Sequence, residues 1–110
     1  MSTHIKFLGI AAFEITLDDG RVVIIDPYLD ENPASPVKAA DLERVDLVLV
    51  THLAIDHLGE AATIAQRFGC PVVCGAEVKY YLGCQGLDPK QARTVPFTTS
   101  PSARLRKLLS

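Results

Sequence analysis

"VDLVLVTHLAIDHLG" occupies residues 45–59. Its first six residues are apolar except for Asp46. So short a run, apolar on both faces, reads as a strand buried in a sheet. His52, Asp56 and His57 follow directly. The turn at the C-terminal end of a strand is where open α/β sheets usually place their ligands. Imidazole nitrogens and a carboxylate are good donors for Zn²⁺, Mn²⁺ or Fe²⁺. Gly59 lets the chain pass close to a neighbour as a helix begins, and Thr51 or Asp56 is available as that helix's N-cap. The same residues also read without a metal: His52 bonded to a neighbour, Asp56 as a cap and His57 exposed to solvent.

Upstream, "HIKFLG" (4–9) and "AFEITL" (12–17) predict two strands. In the second, Phe13, Ile15 and Leu17 share one face and Glu14 and Thr16 the other, the period of a half-buried strand. Asp19-Gly20 predicts a two-residue type I′ hairpin turn. "RVVIID" (21–26), apolar on both faces, predicts a central strand. "PYLDENPASP" (27–36) has three prolines and must be a loop. "VKAADLER" (37–44) has room for one or two helical turns.

Downstream, "LGEAATIAQRFG" (58–69) places Ala61, Ile64, Ala65 and Phe68 at helical spacing, with Gly69 suited to the C′ position and Pro71 following. "PVVC" (71–74) predicts a short strand. "AEVKYYLGCQG" (76–86) predicts a second helix with Val78, Leu82 and Tyr81 on its apolar side. "DPKQAR" (88–93) reads as a capped turn, and "TVPF" (94–97) as the start of another strand.

The 110 residues suffice for one small domain, and 48% hydrophobic content predicts a packed core. A net charge of −2 with both signs interspersed argues against a nucleic-acid or membrane-surface binder. The one basic cluster, "RLRK" (104–107), reads as a solvated terminus. No run approaches the ~20 apolar residues of a membrane span, and Glu14 interrupts the opening apolar stretch, so a cytoplasmic location is expected. Three cysteines without a secretory signal do not make a disulfide framework. Cys70 and Cys74 flank "PVV" as small buried hydrophobes, without the Cys-x₂-Cys pairs of a thiolate zinc site. "FLGIAAFE" has one glycine where a dinucleotide loop needs three.

Taken together, "VDLVLVTHLAIDHLGEA", "IKFLGIAAFEI", "GRVVIIDPYLDENP" and "IAQRFGCPVVCGAEVKYYLGCQG" resemble the metallo-β-lactamase superfamily over roughly residues 4–95. The branch they resemble most is that of the L-ascorbate-6-phosphate-lactonase-like hydrolases. The resemblance implies an α/β (α+β) fold: half of an αββα sandwich, a mixed sheet with helices on one face. Residues 1–95 would form this N-terminal half, and 96–110 a truncated or divergent tail. It also implies a metal-dependent hydrolase whose small-molecule substrate is an ester, lactone or phosphoester. His52 matches the first metal ligand of the family motif. Asp56 and His57 match the pair on the second metal, which makes Asp56 the candidate catalytic carboxylate. Asp26, ending "IID", matches a residue that orients ligands from behind. Zn²⁺ is the expected cofactor, with Mn²⁺ or Fe²⁺ as substitutes, at most one ion per chain.

The chain departs from the family pattern in three places. Ala54 stands where the motif has its second histidine. Ile10 occupies a position that is commonly polar in this branch. The only histidines are His4, His52 and His57, so the later ligands of the family have no counterpart. Asp26 and Glu60 are the remaining candidates for a general acid. A complete domain of the family is about twice this long, and a half-sandwich has a sheet face that must be buried against something. A homo-oligomer or a complementing half-domain is therefore the expected partner. The other reading is a non-catalytic relative that acts through association.

Overall fold

The alternating strands at the start of the chain and the short apolar runs that follow them build a single six-stranded sheet. The structure, a computed structural model, describes residues 2–95. The expected tail 96–110, with "RLRK", lies outside the described residues. The strands are β1 (His4–Gly9), β2 (Ala12–Thr16), β3 (Val22–Ile25), β4 (Leu47–Leu49), β5 (Val72–Cys74) and β6 (Ala92–Thr94). The helices are α1 (Ile55–Leu58), α2 (Ala61–Phe68) and α3 (Ala76–Cys84), and a 3₁₀ turn spans Ala39–Asp41. The strands lie in chain order across the sheet. β1 to β3 pair antiparallel, as tight connections allow, and β3 to β6 pair parallel through crossovers. This is the mixed α/β half-sandwich expected.

Because side chains alternate across a strand, the two faces carry separate apolar clusters. The larger joins Leu8, Ile24, Val48 and Val72 to Leu58 of α1, Ile64 of α2 and Val78 and Leu82 of α3. The smaller comprises Val23, Leu47 and Val73, flanked by Ile15, Ile25, Leu49 and Val95, and no described helix contributes to it. The cross-strand pairs Ile5–Ile15 and Phe7–Phe13 extend this second face to the sheet edge. There Ile5 and Phe7 are 68% and 58% exposed, and the Phe7 and Phe13 rings meet at 5.1 Å.

Several local expectations need correction. The β2–β3 connection is not a type I′ turn. Gly20 alone has positive φ there (91°), while Asp19 does not. The Gly20 amide donates to Leu17 O at 2.9 Å and the Leu17 amide to Arg21 O at 2.8 Å, giving a longer loop closed by a left-handed glycine. Asp19 instead accepts from the Arg21 amide at 3.0 Å and its Nε at 2.7 Å. The Arg21 backbone N–H, more than its guanidinium, holds the Asp19 carboxyl below the usual range. Tyr81 is exposed rather than on the apolar side of α3. β6 begins at Ala92, two residues ahead of "TVPF", in register with Val72 of β5.

Cys70 and Cys74 are buried and free, and Cys84 is exposed. Burial pushes both the Cys70 and Cys74 thiols up to about 11. A thiol so protonated at neutral pH is a poor nucleophile. Alkylation of the native chain at pH 7 should therefore modify Cys84 first, and Cys70 and Cys74 only after denaturant is added. Equal rates at all three would contradict this packing.

Candidate metal centre

The site forms where β3 and β4 end side by side. The Asp26 amide makes the last bond of the parallel ladder, donating to Leu49 O at 2.8 Å. The chain then turns sharply: Asp26 has φ of 48°, in the left-handed region that Asp and Asn tolerate better than most residues. The turn carries the Asp26 carboxylate, 2% exposed, across to the end of β4. Its Oδ1 accepts from the Thr51 amide at 2.7 Å. Its Oδ2 accepts from Thr51 Oγ1 at 2.6 Å and lies 2.8 Å from His57 Nδ1.

Donor and acceptor roles follow from this crowding. A carboxylate only accepts, so both Thr51 Oγ1 and His57 Nδ1 must donate to it. Thr51 Oγ1 has then spent its proton, and it accepts from His52 Nδ1 3.0 Å away. The relay runs His52 Nδ1–H to Thr51, Thr51 to Asp26, and His57 Nδ1–H to Asp26. It fixes both tautomers and leaves the Nε2 lone pair of each imidazole as the free donor. Metal-ligating histidines are oriented in just this way by a partner on the other nitrogen. The two rings sit with centroids 3.8 Å apart.

His57 lies in the four-residue helix α1, which Gly59 separates from α2. The expectation of one helix starting after the motif is thus wrong: the motif has its own helical turn. Ala54 is the N-cap of α1 and Glu60 that of α2, with no side-chain cap bond at either. Neither Thr51 nor Asp56 caps, because Thr51 serves Asp26 and Asp56 lies within the first turn of α1. Asp56 Oδ1 lies 3.8 Å from His57 Nε2. Donors about 2.1 Å from one tetrahedral ion lie about 3.4 Å apart, so this pair is close to bridging distance. Among the described residues, no three His, Cys, Asp or Glu side chains converge tightly enough to form a ready cage. The donor chemistry of His52, Asp56 and His57 fits a divalent cation, and the relay behind the histidines fits ligands held for one.

Neither candidate general acid is available. Asp26 has three donors on it. Glu60 accepts from the amides of Leu29 at 2.9 Å and Asp30 at 3.3 Å. Thr51 was overlooked as the hub of the relay; its place directly before His52 was the available signal. Asn32 was overlooked too. It is buried, donating from Nδ2 to Gly9 O at 3.2 Å and Tyr28 O at 3.0 Å, and it pins the loop after β3 to the end of β1. Ile10, where the family is commonly polar, is exposed with φ of 60°, an unusual conformation for a β-branched residue.

Comparison with known proteins agrees with the geometry. The sequence model of the metallo-beta-lactamase superfamily matches residues 6–107, and the chain belongs to that superfamily. A UPF0173 metal-dependent hydrolase of Rubrobacter xylanophilus is 33% identical over 103 residues, covering 94% of this chain and 41% of its own length. One from Caldivirga maquilingensis is 47% identical over 79 residues, covering 72% of this chain and 34% of its own. Among solved structures, the metallo hydrolase Igni18 of Ignicoccus hospitalis superposes with a TM-score of 0.73 at 26% identity, over 92% of this chain and 43% of its own. The chain thus spans well under half the length of these relatives.

Proposed function

We propose that this chain supplies one part of the metal centre of a hydrolase acting on an ester, lactone or phosphoester. The observation that carries the reading is the Asp26–Thr51 relay, which holds His52 and His57 by their Nδ1 atoms and frees both Nε2 atoms. His52, Asp56 and His57 would hold the ion, Asp56 as the carboxylate donor, and Asp26 would orient the histidines. Zn²⁺ is the expected ion, with Mn²⁺ or Fe²⁺ able to replace it. A bound cation of this kind supplies Lewis acidity toward a carbonyl or phosphoryl oxygen. The chain's own contribution would be two imidazoles already oriented through their Nδ1 atoms, with the Asp56 carboxylate, 3.8 Å from His57 Nε2, closing in as the ion arrives. Three free thiols suit a reducing compartment such as the cytoplasm.

Calorimetric titration of the purified chain with Zn²⁺ tests the reading. One ion per chain is expected, with binding lost in His52→Ala and His57→Ala. No heat of binding in the unsubstituted chain would overturn it. Ala54, at the N-cap of α1, adds no donor. Ala54→His should tighten Zn²⁺ binding by at least about 10-fold, because a fourth protein donor completes a tetrahedral set. Unchanged affinity would mean that position 54 faces away from the ion.

A second reading, association without catalysis, is favoured by the exposed Ile5 and Phe7 on the edge strand. Its occupant would be a second copy or a complementing half-domain. Sedimentation giving a monomer at all concentrations would count against it.

A further inference from the structure

Two segments meet behind the relay: the loop that begins at Asp26, and the α1–α2 junction at Gly59 and Glu60. We propose that Glu60 is a positioning residue for the metal half-site, acting on His57 through the loop that carries Asp26; the link to metal rests on the function proposed above. The Glu60 carboxylate receives two successive backbone amides, Leu29 N at 2.9 Å and Asp30 N at 3.3 Å. Successive amides of this kind form a concave anion seat, and their bonds to a carboxylate are strong ones. The Glu60 amide in turn donates to Pro27 O at 3.0 Å. Three bonds from one residue therefore hold the four residues after Asp26.

Asp26 needs such holding. Its φ of 48° is sparsely populated and persists only when the surroundings over-determine it. Asn32 fixes the far side of the loop to β1. Glu60 fixes the near side, and Glu60 sits three residues after His57 on the same segment. A single residue thus ties the backbone that aims the Asp26 carboxylate to the backbone that carries its imidazole partner. Without the carboxylate of Glu60, the loop loses both amide bonds. Asp26 then relaxes from the left-handed region, and His57 loses the acceptor that fixes its tautomer.

NMR of the histidine ring nitrogens in the metal-free chain tests this without needing a metal. The unsubstituted chain should show His57 as the Nδ1–H tautomer. Glu60→Ala should convert His57 to a mixture of tautomers while circular dichroism stays native. Glu60→Gln, whose single carboxamide oxygen can accept from one of the two amides, should restore the single tautomer in part. Zn²⁺ affinity should fall about 10-fold in Glu60→Ala, the lower end for outer partners of a ligand. A His57 spectrum unchanged by Glu60→Ala overturns the proposal, as does unfolding of both variants, which would make Glu60 a determinant of the fold instead. If the unsubstituted chain binds no Zn²⁺, the hydrolase reading falls, and the tautomer result still decides the role of Glu60.

Discussion

Asp26→Ala is expected to abolish measurable Zn²⁺ binding and to lower stability by roughly 2–4 kcal/mol in urea unfolding. The substitution removes an acceptor that takes three donors in a nearly solvent-free position. The Thr51 amide, the Thr51 hydroxyl and His57 Nδ1–H would be left to find water or stay unpaired. Relief of a buried charge offsets part of that loss, which is why the estimate stops short of three full charged hydrogen bonds. Alanine also tolerates the left-handed φ of 48° less well than aspartate. Asp26→Asn separates the two effects. Asparagine keeps the backbone preference, but its amide nitrogen faces donors where the carboxylate faced them as an acceptor. Its stability loss should be smaller, while Zn²⁺ affinity still falls about 10- to 100-fold through the misdirected histidines. Equal Zn²⁺ affinity in Asp26→Asn and the unsubstituted chain would refute the relay.

Among the described glycines, Gly59 should tolerate replacement by alanine least. A Cβ on residue 59 would lie 2.2 Å from Pro27 O and 2.4 Å from Tyr28 Cα. Both are backbone atoms, so no side chain can swing aside. The residue also sits at φ of 47° and ψ of −128°, where alanine is strained in any setting. A loss of about 3 kcal/mol or more is expected, which for a domain of this size lowers Tm by about 12 °C or more. Gly69→Ala is the control. That glycine also has positive φ, 62°, yet nothing lies within 4 Å of its added Cβ. Its cost should stay near 1–2 kcal/mol, the left-handed penalty alone. If the two variants melt together, the contact between the α1–α2 junction and the loop after β3 is not tight.

How much of this was legible beforehand depends on the range of the interaction. The strands were legible from local signals: "AFEITL" alternates with period two, and "RVVIID" and "VDLVLV" are short runs apolar on both faces. α2 was legible because Ala61, Ile64, Ala65 and Phe68 repeat on one face and Gly69 ends it in the left-handed region. The close approach at Gly59 was foreseen; that it meets Pro27 and Tyr28 was not, since those residues are some thirty positions away in the chain. The same distance hid the relay. His52, Asp56 and His57 were visible as donors. Their tautomers, however, depend on Asp26, and Asp26 reaches Thr51 only because β3 and β4 pair in parallel. Glu60 was misread for the same reason. A glutamate beside a metal motif suggests acid chemistry, whereas its partners are backbone amides of a distant loop. The Asp19-Gly20 turn was misjudged more locally: the Asp19 carboxylate bonds the Arg21 amide, and Gly20 alone takes the left-handed conformation.

The proposed metal centre requires His52 and His57 both to present Nε2 to one divalent ion while Nδ1 of each stays hydrogen-bonded behind. NMR of the ring nitrogens during addition of Zn²⁺ tests it directly. Nε2 of His52 and His57 should shift together up to one equivalent, both Nδ1 atoms should keep their protons, and His4 should not respond. Movement of only one of the two rings, or loss of the Nδ1 proton from His57, would contradict it.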